Sequence, residues 1–221
     1  MKIYLNKIKE DWVIDRFKKE WETYNQDITV NNPKDADIIW IIAPWLWKNV
    51  RKKHLRSKKV ICTIHHIEEY KMDKNYLNDF NNRDYYVDEY HVISNKTKLQ
   101  LEKLTKKKIT KIPFWVNQKI FYTLTENTVL KEKYGLPQDD YLVGSFQRDS
   151  EGKNVNQPKL IKGPDRLLEI IRYYWEVQDE KNLKVVLTGY RRDYLIHELT
   201  KHNIPFKYFE KTDLKSLNEL Y

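Results

Sequence analysis

Two cations placed around a strand and a helix carry the clearest chemistry in this chain. Arg148 follows the apolar run Tyr141-Leu142-Val143-Gly144-Ser145-Phe146, and Lys162 precedes Gly163-Pro164-Asp165, which opens an apolar-striped stretch ending at Ile171. A proline at the first helical position and an aspartate in the first turn are helix-start signals. An Arg just past a strand and a Lys just before a helix form an anion trap, to which the helix's free N–H groups and dipole add. In open α/β sheets such sites lie beyond the carboxyl ends of the strands. The expected ligand is a phosphate; the plainer alternative is a solvated loop that binds nothing.

The other chemistry-bearing cluster is His65-His66-Ile67-Glu68-Glu69. Adjacent strand residues point to opposite faces and no H-E-x-x-H spacing is present, so no metal site is expected. The run reads either as one histidine at the carboxyl end of a strand, aimed at a cleft, or as a satisfied structural histidine. A dinucleotide fingerprint needs closely spaced glycines after the first strand. The five glycines are Gly135, Gly144, Gly152, Gly163 and Gly189, so the first half has none. Gly152-Lys153 only imitates a P-loop, because Gln147 stands where the upstream glycine belongs and Asn154 replaces the Ser/Thr. The single Cys62 lies in an apolar run as a packed thiol. No disulfide framework is possible, which suits a reducing compartment.

The elements that must hold these residues alternate. Residues 2–5, Asp37–Ala43, Val60–His65, Glu89–Ser94 and Ile109–Pro113 read as strands, the second bounded by Pro44 and apolar enough for burial on both faces. Asp11–Tyr24, the basic stretch LWKNVRKKHLRSKK, Asp73–Asn82 and Lys96–Leu104 read as helices, with Ser94 as the cap of the last. The pattern resets near Tyr122–Asn127. A short helix, Thr128–Tyr134, then stops at Gly135 with Pro137 beyond. A second series follows: the Tyr141 strand, the Pro164 helix, strand Leu183–Thr188, helix Asp193–His202, Phe206–Phe209 and a last helix from Asp213. Strands alternating with helices predict an α/β fold with parallel sheets. Two domains are expected, 1–122 and 123–221.

The 221 residues carry a net charge of +9, which favours anionic partners. The basic residues are spread from Lys2 to Lys215, however, and an ordinary lysine-rich surface has the same composition. Pro44-Trp45-Leu46-Trp47 with its basic tail has the look of a membrane-surface helix, against the plainer reading of tryptophans packed on a sheet. The amino terminus lacks a signal-peptide stretch and no run is long enough to span a bilayer. The expected location is cytoplasmic, with peripheral membrane contact.

VGSFQRD…KLIKGPDRLLEII resembles the donor-binding segment of retaining glycosyltransferases of the GT-B fold, glycosyltransferase family four. Other pieces match in the same order: VICTIHH, EYHVISNKTKLQLEKL, KIPFWVNQKIFY and KVVLTGYRRD. The resemblance implies two Rossmann-like domains facing a cleft, with a nucleotide-sugar donor held mainly by the second. It implies that Arg148 and Lys162 grip the donor diphosphate, that Gly144, Ser145, Phe146, Gln147 and Gly163 form the donor loop, and that His65, with His66 as fallback, is catalytic. Such enzymes transfer a sugar to a glycan or lipid-linked acceptor and need no metal or other cofactor.

Three departures accompany the resemblance. The Gly-rich turn after the first strand is missing, and Trp115 stands where a glycine is usual. The chain also stops at Leu217-Asn218-Glu219-Leu220-Tyr221, before the family's Glu-containing segment, so an incomplete second domain and an inactive, truncated enzyme are expected. A non-enzymatic nucleic-acid-binding protein is the alternative, although no recognised nucleic-acid module is present. A half-enzyme completed by a separate chain is a third reading, its second sheet then having an edge to cover.

Overall fold

A computed structural model describes residues 1–6, 13–125, 127–151 and 157–221. The expected helix start at Asp11-Trp12 and the Gly152-Lys153-Asn154 segment lie outside the described residues. The chain divides into two compact units, Met1–Trp115 and Val116–Tyr221. Tyr122 belongs to the second unit: its N–H donates to Asn218 Oδ1 at 3.2 Å and its carbonyl accepts from Asn218 Nδ2 at 3.1 Å.

The first unit is an all-parallel sheet of β1 (Ile3–Leu5), β2 (Ile38–Ile41), β3 (Lys59–Ile64), β4 (Glu89–Val92) and β5 (Lys108–Lys111), in that spatial order. Its helices are α1 (Val13–Tyr24), α2 (Lys52–Ser57), α3 (Lys74–Asp84) and α4 (Asn95–Leu101). Both faces are covered, as expected for a parallel sheet. Ile39, Ile41, Val60, Cys62, Ile64, Tyr90 and Val92 meet Leu55, Phe80 and Leu101 on one face. Ile3, Leu5, Ile38 and Trp40 meet Ile14 and Phe17 of α1 on the other. Burial pushes the Cys62 thiol up to about 12, in keeping with a packed, inert side chain.

The segment around Thr29 runs parallel beside β1 on the side away from β2. Ile3 N–H donates to Ile28 O at 2.7 Å and Val30 N–H to Ile3 O at 2.9 Å. After β1 the chain therefore goes one way and then returns to the other side, so the strand order reverses between β1 and β2. Such a reversal opens a crevice at the carboxyl ends of the strands. Asn6, fully buried there, bridges it: its side chain accepts from Ala43 N–H at 3.2 Å and donates to Ala43 O at 3.1 Å.

A side-chain ladder crosses the same sheet. Trp40 Nε1–H donates to Thr63 Oγ1 at 2.8 Å, Thr63 Oγ1 meets His91 Nδ1 at 3.0 Å, and His91 Nε2 reaches Ile112 O at 2.7 Å. Burial pulls the His91 pKa down, and for the neutral ring only the Nε2-protonated tautomer satisfies all three contacts, with Thr63 donating to Nδ1. Ser94 caps α4 as the sequence predicts, accepting from Thr97 N–H at 3.1 Å.

The expected single helix over the basic stretch is instead a 3-10 turn, Pro44–Asn49, followed by the short α2. Val50 is extended between them and donates to Trp47 O, and both residues are buried in the core. Burying those two side chains breaks the helix. Trp47 is 3% exposed and Trp45 42%, so the pair splits between core and surface instead of forming an aromatic face. No helix among the described residues is long and apolar enough to cross a membrane.

The second unit begins with α5 (Asn127–Lys133) and has a parallel sheet of β6 (Tyr141–Ser145), β7 (Leu183–Thr188) and β8 (Phe206–Phe209), in that order. Between them run α6 (Pro164–Arg172), extended by a π turn to Val177, and α7 (Asp193–Lys201); α8 (Leu214–Leu220) follows β8. Leu168 and Ile171 of α6 pack with Val185 and Leu187 of β7 and Leu195 and Leu199 of α7. That packing fixes the amino end of α6 beside the carboxyl end of β6.

Candidate functional site

The carboxyl end of β6 opens into a cavity of about 370 Å³, lined by Gly144, Ser145, Phe146, Gln147, Arg148, Asp149, Lys162, Pro164, Leu167 and Tyr221. The structure thus brings together Arg148, Lys162 and four of the five donor-loop residues named from the sequence. Gly163 is not in the lining. Its backbone is left-handed (φ 65°), and it turns the chain from Lys162 into Pro164 at the first position of α6. Only glycine adopts that conformation without strain.

Arg148 is exposed, and its guanidinium has no ion-pair or hydrogen-bond partner among the described residues. Lys162 is also exposed. Gln147 ties the two arms of the site, its Nε2–H donating to Lys162 O at 2.8 Å. Gly144 is required by Phe146, whose ring lies back over it, so that an added Cβ would come within 3.0 Å of ring carbons. The Phe146 ring in turn stacks on Tyr221, with centroids 4.3 Å apart and planes 14° from parallel.

Beneath these residues sits a charged cluster that sequence reasoning missed. Asp149 and Arg192 are each 1% exposed. Arg192 Nη2–H donates to Ser145 Oγ at 2.6 Å, and Arg192 Nε lies 3.3 Å from Asp149 Oδ2. Burial pushes the Asp149 carboxyl up from its ordinary value, opposed by Arg192, by the Ser150 hydroxyl and by the N–H groups of Leu195 and Tyr194 at the start of α7. Burial likewise pulls the Arg192 guanidinium down, with Asp149 opposing. Arg148 and Lys162 line the cavity, the Arg192–Asp149 pair lies behind Ser145, and the amino end of α6 adds its partial positive charge. An anion with several oxygens suits this arrangement. The signal in the sequence was the doubled Arg191-Arg192 after Gly189, but nothing local says that the second arginine turns inward.

The two histidines lie in the first unit, just past β3. His65 Nε2–H donates to Ile42 O at 2.8 Å, and its ring stacks on Phe114 at 5.5 Å with Trp45 at 5.9 Å. Burial pulls its pKa down, so the ring is neutral with Nδ1 as an acceptor. His66 is exposed and its Nε2 sits 3.2 Å from Glu68 Oε1. Of the two, only His65 has a fixed tautomer and orientation. No group of three or more His, Cys, Asp or Glu side chains placed to hold a metal occurs among the described residues.

No protein-family model matches this sequence, and no curated protein matches it. Solved structures do. Anabaena HepE in complex with UDP and glucose aligns over 99% of this chain and 71% of its own, with a TM-score of 0.63 and 12% identity. Sucrose-phosphate synthase from Thermosynechococcus elongatus aligns over 97% of this chain and 54% of its own, with a TM-score of 0.61 and 14% identity. The trehalose-6-phosphate structure from E. coli, bound with UDP-2-fluoro glucose, aligns over 93% and 53%, with a TM-score of 0.54 and 14% identity.

The fold is of the GT-B type. At these identities the likeness establishes the α/β architecture with its two Rossmann-like parallel sheets. The chain spans about half the length of the second and third of these structures.

Proposed function

We propose that this chain serves a glycosyltransferase reaction that draws on a nucleotide-sugar donor, with the donor diphosphate in the β6–α6 cavity. The observation that carries this reading is the convergence of Arg148, Lys162 and the amino end of α6 on one cavity within a GT-B fold. HepE is in complex with UDP and glucose, and the E. coli trehalose-6-phosphate structure is bound with UDP-2-fluoro glucose, in keeping with such a donor.

The chemistry follows from charge. As the bond from the sugar to the diphosphate breaks, negative charge grows on the leaving phosphate oxygens. Fixed cations at that point favour the transition state over the ground state, a role open to Arg148 and Lys162 without a metal. His65, neutral and with Nδ1 as acceptor, keeps the catalytic assignment that the sequence resemblance implies. The sugar is a hexose, transferred with retention to a glycan or lipid-linked acceptor in the cytoplasm. Those finer assignments rest on the sequence resemblance.

Calorimetric titration of the chain with UDP, GDP and ADP at two salt concentrations tests the reading. Saturable binding of one of them, lost in Arg148→Ala, is the expected result. A well-folded protein that binds none of the three would overturn it.

A further inference from the structure

Arg192 is the largest fully buried side chain described in the molecule, and it lies under the cavity floor. A guanidinium has five N–H donors and no acceptor. Where its Nη2 meets Ser145 Oγ at 2.6 Å, the serine oxygen must therefore accept, and the hydroxyl hydrogen has to point elsewhere. No second hydrogen bond engages the Ser145 hydroxyl among the described residues. Ser145 lines the same cavity as Arg148 and Lys162. Donation from a cation also polarises the hydroxyl, making it a stronger donor in its turn. Among the described residues Arg192 Nε and Nη1 and Asp149 Oδ2 have no partner that meets hydrogen-bond geometry, although Nε and Oδ2 form an ion pair at 3.3 Å. A buried cation with unmet donors is costly, and an anion bound just above it offsets that cost.

We propose that the Ser145 hydroxyl donates to a phosphate oxygen of the ligand in this cavity, and that Arg192 is the buried positioning residue that frees and polarises it. This rests on the diphosphate-site reading above. Asp149, held by the first N–H groups of α7, fixes the guanidinium from its other side.

The test is calorimetric binding of UDP, GDP, ADP and inorganic pyrophosphate to the wild-type chain, Ser145→Ala, Ser145→Thr, Arg192→Lys, Arg192→Met and the Ser145→Ala/Arg192→Met double variant. Urea midpoints monitor the fold of each. Ser145→Ala should weaken binding of the preferred anion about tenfold, as expected for a hydrogen bond to a charged group, with little change in midpoint. Ser145→Thr should keep most of the affinity. Arg192→Met should lose a similar factor, Arg192→Lys should recover part of it, and the two losses should not add in the double variant. Wild-type binding that survives Ser145→Ala unchanged would overturn the proposal and leave the diphosphate site standing. Additive losses would refute the action of Arg192 through Ser145. A wild-type chain that binds none of the four would remove the diphosphate site and this inference together. Should Arg192→Met fail to fold, the Ser145 pair and Arg192→Lys decide the matter.

Discussion

The Phe146 ring fills the space that a side chain on Gly144 would need. Gly144, the last strand residue but one, thus leaves room for an aromatic ring folded over the end of β6. The same ring stacks on Tyr221, so the conformation of β6 and that of the cavity's aromatic wall are set by one contact.

Gly144→Ala should therefore push the Phe146 ring out of its stack. The expected outcome is a loss of about 1–3 kcal/mol in stability, as for other overpacked sites, together with a changed near-ultraviolet dichroism. In a Phe146→Ala background the same substitution should cost little, because the ring that the added Cβ would strike is gone. Urea unfolding of the three variants measures this.

Gly163→Ala probes backbone strain. The φ of 65° disfavours a side chain, although an added Cβ would meet nothing within 4 Å. The cost should be about 1–2 kcal/mol and should come from the backbone alone. Gly163→Asn, which tolerates the left-handed region better, should cost less in the same assay.

Gln147→Ala removes the link from the end of β6 to the Lys162 carbonyl. Stability should change by no more than about 0.5 kcal/mol, since the contact is exposed. Binding of the preferred nucleoside diphosphate should weaken several-fold, because Arg148 and Lys162 lose their fixed spacing. Urea unfolding and titration calorimetry on this one variant separate the two effects.

Stability should fall in mild acid. Burial pulls both His65 and His91 below their ordinary value, with the Ile42 and Ile112 carbonyls opposing. The unfolded chain then binds more protons than the folded one just below the ordinary histidine pKa, about 6.5. The contribution of these groups is complete above that pH and is lost as the pH drops through the lower folded values. Protonating His91 also removes the acceptor that Thr63 uses. The urea midpoint should decline between about pH 7.5 and pH 5, and His91→Gln should flatten that slope. An unchanged slope would mean the ladder does not titrate in this range.

The local elements were legible in the sequence because each is encoded within a few neighbouring residues. The buried β2 run is apolar on both faces, Ser94 sits where α4 needs a cap, and Lys162-Gly163-Pro164-Asp165 spells a turn into a helix. The same locality put Arg148 just past the strand and Lys162 just before the helix of one strand–loop–helix unit, and both line the cavity. Trp45 and Trp47 looked equivalent in sequence; only packing shows which is buried. The return of Thr29 to the far side of β1 could not be read either, because a short parallel bridge leaves no apolar period. Arg192 is the sharpest case. It looks like one of many surface cations until the β6–β7 register, with Ser145 opposite Leu187, brings the loop after β7 under the end of β6. The sequence alone determined which short segments become strand, turn and helix, since propensity, capping and turn chemistry act over neighbours. Which distant side chains share one buried, low-dielectric space was decided by strand order and register, and from that follow the charge and the proton positions at the site.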